Sequence, residues 1–126
     1  MSIQGTVAAE LDRCRYISLA TFRASGAEVR TPVWFAAADG KLYVFTAGES
    51  GKVKRLRRSS RARVAPCDAR GTVVGTWREA IARVVTPTPA AEAALRAKYG
   101  WQKRLLDLVS RLGGRLHRRA WIEIEV

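Results

Sequence analysis

Through most of this chain apolar residues alternate with polar or aromatic ones, a period-two pattern that marks strands rather than helices. Residues 29–37 place Val29, Thr31, Val33 and Phe35 on one side, with Arg30, Pro32, Trp34 and Ala36 on the other. Asp39-Gly40 supplies the positive φ of a tight hairpin turn, and in the returning arm Leu42, Val44 and Thr46 lie opposite Tyr43 and Phe45. Upstream, Tyr16–Phe22 reads as a strand with Ile17 and Leu19 on one face, and Ser25-Gly26 turns it into this hairpin. Ala62, Val64 and Pro66 alternate in a fourth strand, where the proline asks for a sheet edge or a bulge, and DARG at 68–71 is a turn. Residues 76–85 have strand composition, with Trp77, Ile81 and Val85 on one face and Ala80, Ala82 and Val84 on the other. Neither face is strongly polar, so cover on both is expected. In the last strand, AWIEIEV, Ile122, Ile124 and Val126 alternate with Trp121, Glu123 and Glu125.

Helical spacing appears in four places. Ile3, Val7 and Leu11 predict a short helix ending near Arg13 that covers one mouth of the sheet. Ser50 is placed to cap a helix starting at Gly51, with Val53 and Leu56 three apart for the core. Thr88 as N-cap and Pro89 at the first helical position start a helix running to Tyr99, with Gly100 as its stop. From Trp101, Leu105, Leu108 and Leu112 predict a further helix that breaks at Gly113-Gly114. Antiparallel strands around one helix, with two more helices before a final strand, predict a mainly β, α+β fold. The expected architecture is a small β-barrel with helical caps, in one domain over residues 1–126. The βαβ alternation and Gly-rich fingerprint of a parallel α/β fold are missing.

Charge adds a feature that periodicity does not explain. A helix N-terminus carries partial positive charge and favours acids, yet Lys52 and Lys54 occupy the first turn after Ser50. Lys54 with Arg58, and Arg57 with Arg61, are like-charge pairs four apart, each costing about 0.2–0.5 kcal/mol on an exposed helix. An anion at the free N–H groups of residues 51–53, held also by Ser50 and Lys52, would offset that cost; the alternative is a solvated basic face.

Over the whole chain 23 Lys and Arg face 11 Asp and Glu, a formal net charge of +12. The implied partner is an anion: nucleic acid, a phosphorylated cofactor or an acidic lipid surface. A high-GC genome would also account for part of the arginine. No apolar run reaches the length of a membrane span and no signal-peptide core is present, so the expected location is the cytoplasm.

Catalytic and metal signatures give nothing. Cys14 and Cys67 stand apart without CxxC spacing or a neighbouring histidine, and the single histidine, His117, lies among arginines as a surface residue. HExxH, GxSxG and Walker patterns are absent, and the acids are scattered singly. No catalytic residue and no metal ligand is assigned, and an enzyme built this way needs the chemistry of a cofactor.

The runs TPVWF, DGKLYVFT, SGKVKRLRR, RVAPCDARG and KYGWQKRLLDL, in that order, resemble the flavin and deazaflavin oxidoreductases of the pyridoxamine-phosphate-oxidase-like superfamily. The likeness is strongest to its actinobacterial F420-dependent branch and covers nearly the whole chain. It implies an FMN-binding-like split β-barrel of antiparallel Greek-key type. The cofactor is then F420, with FMN as the alternative, in a homodimer with cofactor sites at the interface. By the resemblance, Thr31, Pro32, Val33 and Trp34 lie along the cofactor ring, and Thr46 ends the next strand beside it. Ser50, Gly51, Lys52 and Lys54 form the phosphate-binding turn, while Trp77 or residues near Trp101 reach the other subunit's cofactor. The positive surplus suits the longer polyanion of F420, whose path Arg55, Arg57, Arg58 and Arg61 are candidates to line, with a solvated face as the alternative, favoured for at least some of them.

The leading expectation is an F420H2-dependent oxidoreductase acting on an unidentified small organic substrate. An FMN enzyme or a cofactor carrier of the same fold is the alternative. A nucleic-acid-binding barrel, suggested by the charge and by Arg115, Arg118 and Arg119, lacks a recognition helix or an RNP-type aromatic strand.

Overall fold

A computed structural model of the chain describes residues 3–47, 50–86, 88–99 and 119–126. The elements are α1 (Ile3–Leu11), β1 (Tyr16–Phe22), β2 (Glu28–Ala38), β3 (Lys41–Ala47), α2 (Gly51–Arg58), β4 (Arg61–Cys67), β5 (Arg78–Val85), α3 (Pro89–Tyr99) and β6 (Arg119–Glu125). The helix expected from Trp101 onward, the stop at Gly100 and His117 lie outside the described residues.

The six strands close into an antiparallel barrel in the order β1-β2-β3-β6-β5-β4. Strands β1 to β3 form a meander and β4 returns beside β1, which is the Greek-key connection. Turn chemistry fixes the hairpins: Asp39 and Gly40 both have positive φ between β2 and β3, and Gly26 does so between β1 and β2.

Alternation sorts the side chains as the sequence predicts. Ile17, Leu19, Val33, Phe35, Leu42, Val44, Val64, Ala82, Ile122 and Ile124 fill the barrel interior. On the outside, Ala36, Tyr43 and Trp121 form a second cluster with Ala91 and Leu95, through which α3 lies against the barrel wall. Thr88 caps α3 as expected, its Oγ1 accepting from Ala91 N at 3.1 Å. Helix α1 closes the end where β1 begins, adding Ala8 and Leu11 to the core. At the other end α2 contributes Val53 and Leu56.

Two expectations need correcting. Residues 76 and 77 precede β5 rather than belonging to it, and among the described residues the outer face of β5 is uncovered from Glu79 to Arg83, with only Val85 at its end packed against the outer cluster. Ala80 and Ala82 are buried while Ile81 is 43% exposed, flanked by Glu79 and Arg83, whose ion pairs with Arg61, Arg63 and Glu125 make that outer face polar. Pro66 lies past Val64, the last residue of β4 paired to β5, so no ladder N–H is required of it there. Its carbonyl accepts from Val74 N at 2.9 Å, tying down the loop between β4 and β5. That loop turns at Asp68, whose Oδ1 accepts from Arg70 N and Thr72 N, and runs back past Pro32 and Pro66 to Trp77.

Candidate functional site

Ser50 is extended (φ −64°, ψ 156°), and its hydroxyl accepts from Val53 N at 3.4 Å, so the N-cap expected from sequence is in place. Helix geometry leaves the N–H groups of Gly51 and Lys52 without intrahelical acceptors. Lys52 is half-buried, and burial first, then the neighbouring Arg55, holds its pKa below the usual lysine range. Lys54 is exposed.

The Arg55 side chain is held against β1. Its Nε donates to Thr21 Oγ1 at 2.6 Å, and a Cβ built on Gly51 would lie 2.7 Å from Arg55 Nη1. The guanidinium therefore folds back over the first turn of its own helix, against the buried Thr21 hydroxyl at the end of β1. Arg58 Nη2 donates to the Phe22 carbonyl at 2.6 Å, and Arg61 stacks 4.1 Å from the Phe22 ring centroid. Both are engaged with β1. Burial, followed by Arg23 and Arg58, lowers the Arg55 pKa, which places Arg23 in the same cluster. Arg23 and Thr21 were not singled out from the sequence; the turn that carries Arg23 meets α2 only through the tertiary fold.

Arg30, Arg61, Arg63, Arg78 and Arg83 all have carboxylates within ion-pair distance. Among the described residues no carboxylate pairs with Arg23, Lys52, Arg55 or Arg58. Along α2 the cations without a carboxylate run from Lys52 in the first turn to Arg55 and Arg58 in the last, with the Arg55 guanidinium folded back over Gly51 and Arg23 beside it, a pattern that suits an anionic group.

The ring-side residues are divided between two faces. Val33 is buried inside the barrel, whereas Trp34, one residue on, packs against the outer α3 cluster. Successive strand residues point to opposite faces, so the two side chains cannot wall one ring together. Pro32 is exposed on the outer face, and Thr31 is half-buried with the opposite parity. Thr46 is half-buried and pairs with Ala120. Trp77 lies between two guanidinium groups, Arg30 Cζ at 4.6 Å and Arg63 Cζ at 5.0 Å from its ring centroid. Those two arginines flank Ala20 in the register, so Trp77 sits across the outer face of β1. One chain brings Ser50, Gly51 and Lys52 together but does not gather Val33, Trp34 and Trp77 around a common space.

Two cavities elsewhere leave this arrangement untouched. A groove of about 530 Å³ is lined by residues 59–61 and 79–81 with Glu125 and Val126, and one of about 160 Å³ lies between Glu10, Cys14, Pro66 and Arg78. Among the described residues no three His, Cys, Asp or Glu side chains gather as a metal-binding set, and no helix is long and apolar enough to cross a membrane.

The family model described as pyridoxamine 5'-phosphate oxidase matches residues 3–126. The chain belongs to the pyridoxamine 5'-phosphate oxidase family. Its barrel is similar to that of a conserved hypothetical protein, Rv2991, from Mycobacterium tuberculosis. The two are 23% identical over 98% of this chain and 79% of the other, with a TM-score of 0.67. HutZ, a heme storage protein from Vibrio cholerae, is 13% identical over 99% of this chain and 90% of its own, at a TM-score of 0.65. A FAD-binding protein from Mesorhizobium loti is 16% identical over 96% and 85%, at 0.54. Among curated proteins nothing matches. At these identities the family's split barrel is the shared property, and the bound groups named differ from one relative to the next.

Proposed function

We propose that this protein is an oxidoreductase that uses the deazaflavin F420 in its reduced form, F420H2, to reduce a small organic substrate. The observation that carries this reading is the cation cluster along α2, where Lys52, Arg55 and Arg58, with Arg23 beside them, have no carboxylate partner among the described residues. Its donors suit a phosphate: Gly51 and Lys52 N–H groups, a desolvated ammonium and a guanidinium. FMN shares that phosphate and is the alternative occupant. F420 adds a lactyl group and an oligoglutamate tail, a longer polyanion for which the exposed Lys54 and Arg57 supply charge beyond the cluster.

In this reading Ser50 orders the helix start while Lys52 and Arg55 hold the phosphate. The outer face of β2, with Pro32 and Trp34, and the backbone of Thr31 and Val33 take the ring side, close to Thr46. Bound F420H2 supplies a hydride, and the protein's part is to orient the ring and exclude water. A homodimer completes the site, each subunit offering Trp77 to the other's cofactor. The FAD-binding relative supports a flavin-type ring on this fold.

Parallel fluorescence titrations of the apo protein with F420 and FMN test this. Tighter binding of F420, together with a dimer by light scattering, is expected. Stoichiometric yellow FMN in the purified protein, or no affinity for F420, would overturn the assignment.

A further inference from the structure

We infer that Thr21 and Gly51 are positioning residues that aim the Arg55 guanidinium at the cofactor phosphate; this rests on the phosphate reading of the α2 start. Arg55 leaves its helix at a position from which the side chain ordinarily extends into solvent. Here it is turned back by two features from separate parts of the chain. The first is the Thr21 hydroxyl, fully buried at the end of β1, which accepts from Nε at 2.6 Å. The second is the missing Cβ at Gly51, whose place would be only 2.7 Å from Nη1.

A guanidinium is a planar fork, so fixing Nε fixes the plane and leaves the Nη1–Nη2 edge as the pair of donors for a tetrahedral anion. Thr21 supplies that fixed point and glycine supplies the room. Arg58, bonded to the neighbouring Phe22 carbonyl, pins the same helix to the same strand end. The cluster is thus set before any ligand arrives, and the repulsion among Arg23, Arg55 and Arg58 is what an anion relieves.

A side chain at position 51 has to displace the guanidinium. Gly51→Ala therefore discriminates this arrangement from a plain basic helix, in which alanine at the first turn is harmless or mildly stabilising. Thr21→Val removes the acceptor at nearly constant volume, and Thr21→Ser keeps it.

The experiment compares wild type, Thr21→Val, Thr21→Ser and Gly51→Ala by titration with F420 and with the deazaflavin riboside that lacks the phosphate. The Arg55 Nε–H resonance is followed by NMR during addition of inorganic phosphate. Expected are losses of roughly tenfold or more in F420 affinity for Thr21→Val and Gly51→Ala, wild-type affinity for Thr21→Ser, and no change for the phosphate-free riboside. Wild-type affinity in Thr21→Val and Gly51→Ala, or equal losses on the riboside, would overturn the positioning role. Should wild type bind neither F420 nor FMN, the cofactor reading fails, and inorganic phosphate decides the clamp alone. A shift of the Nε–H resonance in wild type that is lost in Thr21→Val sustains it, and no shift in wild type overturns it.

Discussion

The Lys98 ammonium lies 3.5 Å from the centroid of the Phe35 ring, a cation from α3 set against an aromatic ring of the barrel interior. Its side chain is 15% exposed, and Nζ also donates to Asp12 Oδ1 at 3.0 Å. The same Oδ1 accepts from Ala37 N at 3.0 Å, so one carboxylate after α1 joins α3 to β2. Asp12→Ala takes away the acceptor that Lys98 and Ala37 share. It should cost about 1.5–3 kcal/mol, toward the lower end because Asp12 is partly exposed. Lys98→Met keeps a contact to the ring, so the double variant should lose less than the two single losses together. Urea unfolding of the three variants checks this.

Lys52→Ala separates binding from folding. Burial and Arg55 both disfavour the ammonium, so the folded pKa lies below that of the unfolded chain. Between those two values the unfolded state holds more protons and wild-type stability rises with pH; below the folded value the penalty is fully present. Removing the charge should leave the apo melting temperature unchanged or slightly higher at neutral pH. F420 affinity should fall about ten- to a hundredfold, the value of a charge-assisted hydrogen bond of about 1.5–3 kcal/mol. Thermal melting and a fluorescence titration measure the two halves, and Ser50→Ala should give the smaller binding loss.

Glu28 predicts the acid limb. Burial opposes its ionisation, but hydrogen bonds from Arg30 (2.6 Å) and Arg63 (3.0 Å) outweigh this and hold its pKa below the ordinary carboxylate value. Its contribution is present above the unfolded pKa and is lost as pH falls through the folded one. Glu28→Gln should be less stable than wild type at neutral pH and show a flatter decline below about pH 4.5. Equilibrium unfolding across that range would reveal parallel curves if the contact were unimportant.

Gly75 is required by close approach. A Cβ there would lie 2.4 Å from Pro66 Cγ, and a proline ring in a strand cannot rotate away. Gly75→Ala should cost about 1–3 kcal/mol, the range for overpacking, and Pro66→Ala in the same chain should recover most of it. Differential thermal melts of the single and double variants read this directly.

Much of this architecture was legible because its signals are local. Alternation in residues 29–46 sorts Phe35 and Val44 inward from Trp34 and Phe45, while Asp39-Gly40, Ser50 and Thr88 mark boundaries by conformational requirements that few residues meet. The position of Arg55 was not legible, because it depends on a hydroxyl 34 residues upstream and on the space at Gly51. Trp77 is similar: its place between Arg30 and Arg63 follows from the registers of β2 and β4 on β1, which no single stretch encodes. The grouping of Val33 with Trp34 came from the family likeness, while strand parity, which the sequence itself displays, sets their side chains on opposite faces of β2.

Closure of the barrel through β6 also dictates an order of events during synthesis. β3 and β5 each find their second neighbour only in residues 119–125, so a growing chain that has released everything before them carries two strands with unpaired N–H and C=O groups. The contacts that cover those edges span a large sequence separation, which makes their formation slow relative to the β1–β2–β3 meander. Aggregation risk is therefore concentrated in the interval before the last strand emerges, and a chain cut short of it should be captured by chaperones rather than accumulate as a five-stranded sheet.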